Sequence, residues 1–338
     1  MTIKDIAKAC GVGVSTVSRV LNNRPDVSPE VRARVLSVVE KSGYIPNNSA
    51  RDLSRSRSDA IGVVVRGMGN LFFAQVLNTV SQEIDRAGYT MVPRFIDSDT
   101  DEVKAGAILE REKKLQGLLF LGGRFDYTPE ELSLVGIPYV CCTYTNCFGT
   151  LAEEDYSSVS IDDFRTAYQA VERLISLGHR RIAALVPSCS DHSISELRYD
   201  GYRAALRAHG LEMDPALLVE CGGCFTMPES YEGMRRLLEE GADFSAVFVL
   251  SDTMAIAAIK ALENAGKRVP EDVSVVAIDG LDVSAYTVPT LTTMVQPAEE
   301  MGRESVELLL QVLDGGPNRH VRLEAALREG SSVRALIQ

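Results

Sequence analysis

Short apolar runs alternate with amphipathic stretches along most of this chain of 338 residues. Each run is continuous and bounded by polar residues or glycine, which is typical of strands buried on both faces of a sheet. The predicted strands are AIGVVV (60–65), LLFL (118–121), YVCC (139–142), RIAALV (181–186), AVFVL (246–250) and VSVVAI (273–278). The predicted helices between them lie near 73–87, 101–114, 164–177, 196–209, 228–240 and 253–265. This alternation predicts an α/β fold with doubly wound parallel sheets.

The first 60 residues follow a different pattern, with two short helices separated by a glycine turn and a third helix after them. Thr2 and Asp5 have the spacing of a capping box at the start of the first helix. Gly11 and Gly13 end that helix, and Ser28-Pro29 opens the third as N-cap and first helical residue. The apolar positions of the first helix recur at helical spacing and form one predicted buried stripe: Ile3, Ile6, Ala7 and Cys10.

The second short helix carries a polar face of short hydroxyls and one guanidinium: Ser15, Thr16, Ser18 and Arg19. Such side chains suit base edges and phosphates. A unit of this shape can place one helix in the major groove of DNA and the basic, asparagine-rich tail that follows in the minor groove. The alternative from spacing alone is an ordinary three-helix domain whose polar face is only solvated.

Charge divides the chain in the same place. The whole chain has a formal net charge of −12, yet residues 1–60 hold ten Lys or Arg against six Asp or Glu. Such asymmetry indicates a basic nucleic-acid-binding end on an acidic body. No apolar run approaches the ~20 residues of a membrane span, and no charged-then-apolar leader is present, so we expect a cytoplasmic protein without membrane contact.

The N-terminal segment resembles the DNA-binding headpiece of the LacI/GalR family of bacterial transcription regulators. The matching segments are IKDIAKACGV, STVSRVLN, VSPEVRARV and GYIPNNSARDL. The resemblance implies that Val14, Ser15 and Arg19 read bases in the major groove. It implies backbone-positioning roles for Thr16, Ser18 and Asn22. Gly13 stands where the family usually has a serine or threonine that caps the helix. This chain therefore lacks the hydroxyl that would contact a phosphate there.

The segment NNSARDLSRSR (47–57) is a flexible basic connector by composition. The resemblance implies that it folds into a short hinge helix on the operator, with Leu53 wedged between base pairs in the minor groove. Ala50 and Leu53 are three residues apart and share one helical face. Asn47 and Arg51 belong to the same implied minor-groove contact.

The predicted α/β body should bind a ligand where its strands end, because open parallel sheets bind ligands beyond their carboxyl ends. That rule nominates the polar residues that follow the predicted strands: Arg66, Arg124, Ser188, Ser251, Asp252 and Asp279. Carboxylates, guanidinium groups and hydroxyls suit a small polyhydroxylated ligand. For each residue the alternative is a surface loop charge or a helix N-cap.

The body also resembles the regulatory domain of LacI-type proteins, which has the two-lobed fold of periplasmic sugar-binding proteins. The matching segments are GNLFF (69–73), GHRRIA (178–183), RYDGYRAAL (198–206), VPEDVSVVAID (269–279) and PTLTT with VQP (289–297). The resemblance implies that Phe73 lines the cleft, that Arg198 and Asp279 hold ligand hydroxyls, and that Phe225 offers a stacking face. Asp162 matches a cleft aspartate. Both phenylalanines could equally be core residues.

These observations divide the chain into a helix-turn-helix headpiece (1–46), a hinge (47–59) and an effector-binding and dimerisation domain (60–338). The predicted N-lobe takes about 60–160 and 292–322, and the C-lobe about 161–291 and 323–338. We expect a homodimer that binds a pseudo-palindromic double-stranded operator and a small polar effector. A sugar, a nucleoside or nucleobase, and a sugar phosphate all remain open, because the cleft departs from the family at Asp163, Ser251 and Gly280.

Two other classes of protein fit less well. A periplasmic solute-binding protein shares the second fold but would need a signal peptide and no headpiece. A nucleotide-dependent oxidoreductase would need a glycine-rich turn after the first strand, and Phe72 replaces the third glycine there. We therefore expect no enzyme, no cofactor and no catalytic residues. The CxxC spacing of Cys221 and Cys224 has no partner pair for zinc, and the seven cysteines are expected to be reduced thiols.

Overall fold

The structure is a computed structural model that describes residues 2–21, 24–42, 58–67, 69–223 and 225–336. The chain forms two compact units, Met1–Ser58 and Asp59–Gln338, which are described separately.

The first unit contains three helices: α1 (Ile3–Cys10), α2 (Val14–Leu21) and α3 (Pro29–Ser42). The predicted capping box is confirmed, because the Thr2 N–H donates to the Asp5 carboxylate at 2.8 Å and the Asp5 N–H donates to Thr2 Oγ1 at 3.4 Å. Helix α1 ends at Gly11, whose φ of 63° is left-handed. Helix α3 begins at Pro29 with the Ser28 hydroxyl accepting from the Val31 N–H, as predicted. The three helices share one small core: Ile6, Ala7, Cys10, Val17, Val20 and Val35.

The second unit contains two six-stranded sheets. The first runs in the order β11-β5-β4-β3-β1-β2, with all neighbours parallel, and defines the first lobe. Its strands are β1 (Ala60–Arg66), β2 (Thr90–Ile96), β3 (Gly117–Leu121), β4 (Tyr139–Cys142), β5 (Ser157–Ile161) and β11 (His320–Leu323).

The second sheet runs in the order β12-β10-β9-β8-β6-β7 and defines the second lobe. It is parallel except for its edge strand β12, which is antiparallel to β10. Its strands are β6 (Ile182–Val186), β7 (Leu218–Glu220), β8 (Ala246–Val249), β9 (Ser274–Asp279), β10 (Thr292–Val295) and β12 (Ala326–Arg328). The predicted α/β fold of parallel sheets is therefore confirmed.

Helices cover the faces of both sheets. They are α4 (Leu71–Arg86), α5 (Glu102–Lys113), α6 (Pro129–Leu132), α7 (Asp163–Ser176), α8 (Ile194–Ala208), α9 (Met227–Glu239), α10 (Asp252–Asn264) and α11 (Ala298–Leu313). All six predicted helices of the body are present within two residues at each end. Helices α6 and α11 and six of the twelve strands were not predicted.

The chain passes from the first lobe to the second after β5 and returns after β10. Strand β10 pairs with β9 in the second sheet, whereas the predicted boundary at 292 places it in the N-lobe. The return therefore follows Val295, because the apolar side of β10 completes the second lobe's core through Met294. Helix α11 then packs on the first lobe, where Met301 and Leu309 are buried in the core.

Candidate ligand cavity and nucleic-acid interface

A cavity of ≈ 280 Å³ lies between the carboxyl ends of the two sheets. The first lobe contributes the residues that follow β1 to β4, and the second lobe contributes the loops after β6 and β7. This is the place that the strand-end rule predicts. The described lining residues are Arg66, Gly67, Gly69, Asn70, Phe73, Asp97, Ser98, Gly122, Gly123, Phe125, Thr143, Tyr144, Asp191, Ser193, Ile194, Gly223, Phe225 and Thr226.

Aromatic rings line this interlobe cavity from both lobes. Phe73 belongs to α4 and Phe225 precedes α9. The Phe73 ring lies against Gly122, where a Cβ would stand only 2.7 Å from its Cζ, so this position requires glycine. Phe125 and Tyr144 stack with ring centroids 5.3 Å apart. Such rings can face the apolar side of a sugar or a base.

Polar side chains occupy the same cavity. Asn70 caps α4, with its Oδ1 accepting from the Phe72 N–H at 3.0 Å, which fixes the amide at the lining. Asp97 follows β2 directly. Asp191 accepts the Ser193 hydroxyl at 2.6 Å, and partial burial raises the pKa of Asp191. These groups provide both donors and acceptors for a hydroxylated ligand.

Arg66 ends β1 and lines the cavity, with the carboxylate of Glu102 behind it. Arg66 Nε lies 3.6 Å from Glu102 Oε2, close enough for charge attraction but too long for a hydrogen bond. The other oxygen, Glu102 Oε1, accepts the Arg124 backbone N–H at 2.7 Å. Glu102 is fully buried, and this burial raises the pKa of its carboxyl while Arg66 opposes the rise.

A buried ionic cluster lies at the carboxyl ends of the second lobe's strands. Arg198 Nε donates to Asp163 Oδ1 at 2.8 Å, and its Nη1 donates to the Leu250 carbonyl at 2.6 Å. The same Nη1 lies 3.7 Å from Asp279 Oδ1, which also accepts the Gln296 amide at 2.8 Å. The structure brings Arg198 and Asp279 together, with Asp163 as their partner, but neither lines the cavity, and their predicted roles in holding ligand hydroxyls remain predictions.

Asp279 has an unusual backbone conformation and a raised carboxyl pKa. Its φ is 132°, a region that residues other than glycine rarely adopt. Its Oδ2 is buried without a hydrogen-bond partner among the described residues. Burial, with the nearby Asp252 and Asp163 carboxylates, raises the pKa of Asp279 to about 8, although Arg198 opposes this.

Two further predicted effector residues, Ser251 and Asp252, also have partners within the protein and do not line the cavity. Ser251 caps α10 by accepting the Met254 N–H at 3.2 Å. Asp252 is buried and accepts from the Leu281 N–H and from the Ser284 and Thr293 hydroxyls. Their binding roles remain predictions.

Arg124 and Asp162 lie at the surface of the first and second lobes. The Arg124 guanidinium pairs with Asp126 at 2.8 Å and with Glu131 at 3.3 Å. Asp162 caps α7 through the Arg165 N–H and lies 3.7 Å from Arg322. The strand-end rule nominated Arg124, and the family resemblance implied Asp162, but neither could foresee the direction of the side chain.

The two lobes also meet directly beside the cavity. The Phe125 N–H donates to the His192 carbonyl at 3.1 Å, and the His192 ring stacks on Phe148 with centroids 5.1 Å apart. His192 Nδ1 faces Asp126 at 3.4 Å. None of these residues could be predicted from the sequence, because such loop contacts have no periodic signal.

The first unit presents the predicted recognition face of α2 to solvent. Val14 is 40 % exposed, and Ser15 and Arg19 are also exposed, whereas Thr16 and Ser18 are half-buried. Arg19 lies 3.4 Å from Asp26 in an exposed ion pair, which DNA phosphates or bases can displace. Asn22 and the hinge residues Asn47, Ala50, Arg51 and Leu53 lie outside the described residues.

Within the described ranges, no three His, Cys, Asp or Glu side chains are grouped as a metal site requires. None of the helices that the structure describes combines the length and apolar character needed to cross a membrane. Cys221 is buried, and its CxxC partner Cys224 lies outside the described residues.

Comparison with known proteins identifies the class. The family described as "Bacterial regulatory proteins, lacI family" matches residues 2–47, and "Periplasmic binding protein-like domain" matches residues 171–333. The HTH-type transcriptional regulator MalR of Clostridium butyricum is 40% identical over 335 residues, covering 98% of this chain and 99% of its own. CelR of Thermobifida fusca is 36% identical over 328 residues, covering 95% and 94%. This chain belongs to the lacI family of bacterial regulatory proteins.

Solved structures of similar fold cover most or nearly all of the chain. A CelR–cellobiose complex has a TM-score of 0.72 and 33% identity, covering 98% of this chain and 99% of its own. A ribose-bound regulator of the same family from Enterococcus faecium has a TM-score of 0.71 and 26% identity, covering 82% and 100%. A lac repressor dimer bound to operator shares the fold, with a TM-score of 0.78 at 24% identity, covering 99% of each chain. The chain is accordingly a sequence-specific DNA-binding transcriptional regulator and not an enzyme.

Proposed function

We propose that this regulator is a homodimeric repressor of carbohydrate-utilisation genes, acting on DNA in the cytoplasm, and that a sugar in the interlobe cavity controls its operator affinity. The observation that carries the proposal is the cavity itself. Both lobes line it, aromatic rings and hydroxyl-binding groups face it, and the same chain carries a lacI-family headpiece. A ligand held by both lobes stabilises their closed arrangement.

The chemistry of the cavity supports a carbohydrate. Phe73 and Phe225 can pack against the C–H face of a sugar ring, and Arg66, Asn70 and Asp191 can bind its hydroxyls. A solved CelR structure is a complex with cellobiose, and a family member from E. faecium holds ribose. Arg198 and Asp279 form a buried ion pair at the carboxyl ends of the second lobe's strands.

The homodimer has a candidate surface in the body. Tyr286 is 86 % exposed and Val288 is 88 % exposed, in the loop between β9 and β10. Two large apolar side chains this exposed, and only two residues apart in one loop, support a contact surface for a second copy of the chain. A symmetric pair of bodies would present two headpieces to the two halves of a pseudo-palindromic operator.

Control would follow from a change in lobe closure that alters the spacing of the two hinge segments. Val14, Ser15 and Arg19 would read bases, Thr16, Ser18 and Asn22 would position the backbone, and Asn47, Ala50, Arg51 and Leu53 would enter the minor groove. Open and closed states both exist without ligand, and the effector shifts their populations only by its differential affinity.

Thermal unfolding of the full chain with neutral sugars, sugar phosphates, nucleosides and nucleobases tests the proposal. A cavity ligand at 100 times its Kd adds about 2.7 kcal/mol of stability. Phe225→Ala should abolish the shift, whereas Phe95→Ala, which removes an exposed ring on the outer strand β2, should leave it unchanged. A shift with nucleosides or nucleobases alone would reject the carbohydrate proposal in favour of that alternative.

A further inference from the structure

The interlobe cavity has few charged side chains among its described lining residues, and only one of them is cationic. Among its described lining residues, Arg66 is the one cationic side chain, whereas Asp97 and Asp191 are acidic. The two undescribed neighbours in the adjoining loops, Met68 and Cys224, carry no positive charge. The character of the ligand therefore depends on whether the charge of Arg66 is available to it.

That charge already has a partner. Glu102 is 0 % exposed, is the first residue of α5, and lies 3.6 Å from Arg66 Nε. A buried carboxylate at this distance interacts with the guanidinium far more strongly than an exposed one, because water does not screen it. Glu102 Oε1 is held in place by the Arg124 N–H, so the carboxylate cannot turn away from its position without losing that bond.

The other arginines at the carboxyl ends of the sheets also have carboxylate partners, buried for Arg198 and partly exposed for Arg124. Arg198 lies between the buried Asp163 and Asp279, and Arg124 lies between Asp126 and Glu131. No described arginine at this edge is therefore left with a free charge for an anionic ligand, as phosphate recognition would require.

We propose that Glu102 is a specificity-determining residue, which cancels the charge of Arg66 so that the cavity accepts neutral polyhydroxylated ligands and rejects phosphorylated ones. Arg66 still offers N–H donors to hydroxyl oxygens, while Asp97 and Asp191 accept hydrogen bonds from hydroxyl groups and repel a phosphate. The carbohydrate nature of the ligand rests on the proposed function. The rejection of anionic ligands does not depend on it.

Titration calorimetry on the full chain tests the inference with cellobiose against cellobiose 6′-phosphate, ribose against ribose 5-phosphate, and inorganic phosphate alone. Wild-type protein should bind each phosphorylated sugar at least about tenfold more weakly than its neutral counterpart. It should bind inorganic phosphate no more tightly than the phosphorylated sugars. Glu102→Gln keeps an acceptor for the Arg124 N–H and removes the compensating charge. It should increase the affinity for inorganic phosphate at least about tenfold.

Two further variants show whether the gain acts through Arg66. Arg66→Gln combined with Glu102→Gln should return phosphate binding to the wild-type level. Glu112→Gln removes a negative charge from the same lobe, where Glu112 lies 3.5 Å from Arg94 outside the cavity, and should change nothing. Thermal unfolding of each variant confirms that it folds.

The inference is overturned if wild-type protein binds a phosphorylated probe as tightly as its neutral counterpart, or if Glu102→Gln binds phosphate no better than wild type. Failure of both neutral sugars to bind would count against the proposed carbohydrate effector. The phosphate comparison between wild type and Glu102→Gln would still decide the role of Glu102.

Discussion

Arg198 donates through Nε to Asp163 at 2.8 Å, with the two side chains only 2 % and 4 % exposed. Removing one partner of a buried ion pair leaves an uncompensated charge, so Asp163→Ala should lower the free energy of unfolding by about 3–5 kcal/mol. Asp163→Asn, which keeps an acceptor, should cost less. Urea unfolding measures both.

A matched surface pair provides the control for Asp163. Arg181 lies 3.1 Å from the partly exposed Asp214, and Asp214→Asn should change the free energy of unfolding by no more than about 1 kcal/mol. An equal decrease in the free energy of unfolding at the two sites would show that burial does not make the Arg198–Asp163 pair more important for stability than an exposed pair.

Asp279 should make the stability of the body depend on pH. Its pKa is raised from 3.8 to about 8, so the native state holds a proton that the unfolded state has released. The contribution of this group is present in full below its unfolded pKa and is lost as pH rises to about 8. Stability should therefore fall across this range.

Asp279→Asn tests that pH dependence. The variant should flatten the decrease in unfolding midpoint between about pH 5 and 8, measured by thermal unfolding in matched buffers. Part of the slope should remain, because burial also raises the pKa of Asp163 and Asp252. An unchanged slope in Asp279→Asn would mean that Asp279 is ionised throughout.

Arg19 should contribute to base recognition rather than only to general attraction. Arg19→Ala should lower operator affinity at least about tenfold while affecting binding to scrambled DNA much less. Arg34→Ala removes an exposed charge from α3 and should not change the ratio of the two affinities. Fluorescence anisotropy at fixed salt measures both, and an equal effect of the two substitutions on that ratio would contradict the assignment.

Leu53 is expected to act as the minor-groove wedge of the hinge. Leu53→Ala should lower operator affinity at least about tenfold, because an apolar wedge stabilises the bent duplex that brings more protein into contact. Effector binding should be unaffected, since the cavity lies in the body. A gel-shift titration with unchanged operator affinity would reject this role.

Half of the strands could be predicted because their sequences are continuous apolar runs, such as AIGVVV and AVFVL. The missed strands lack that signal for physical reasons. Strand β2, TMVPRFI, contains Pro93 and Arg94 and is largely exposed at the sheet edge, and β5, SSVSI, is buried but rich in serine. Serine can occupy the interior here because Ser157 and Ser158 find partners in Asn318 and His320, far away in sequence.

The site shows the same limit. Arg66 was nominated because its strand was recognised, whereas Asp97 follows β2 directly and was missed with that strand. Arg124 was nominated by the same rule, yet its guanidinium turns towards Asp126 and Glu131. A strand end fixes where a backbone lies, but the direction of a charged side chain depends on partners that only the folded chain brings together.

The coupling between cavity and headpiece is tested most directly by one reciprocal measurement on the full chain. Operator affinity is measured by anisotropy with and without a saturating sugar from the thermal screen, and sugar affinity by calorimetry with and without operator. Linkage requires the two affinities to change by the same factor, typically about 5–150-fold. A repressor that its sugar induces should bind operator more weakly with sugar and sugar more weakly with operator, whereas a corepressor would strengthen both. Two affinities that are independent of each other would contradict control of the DNA-binding unit by the cavity.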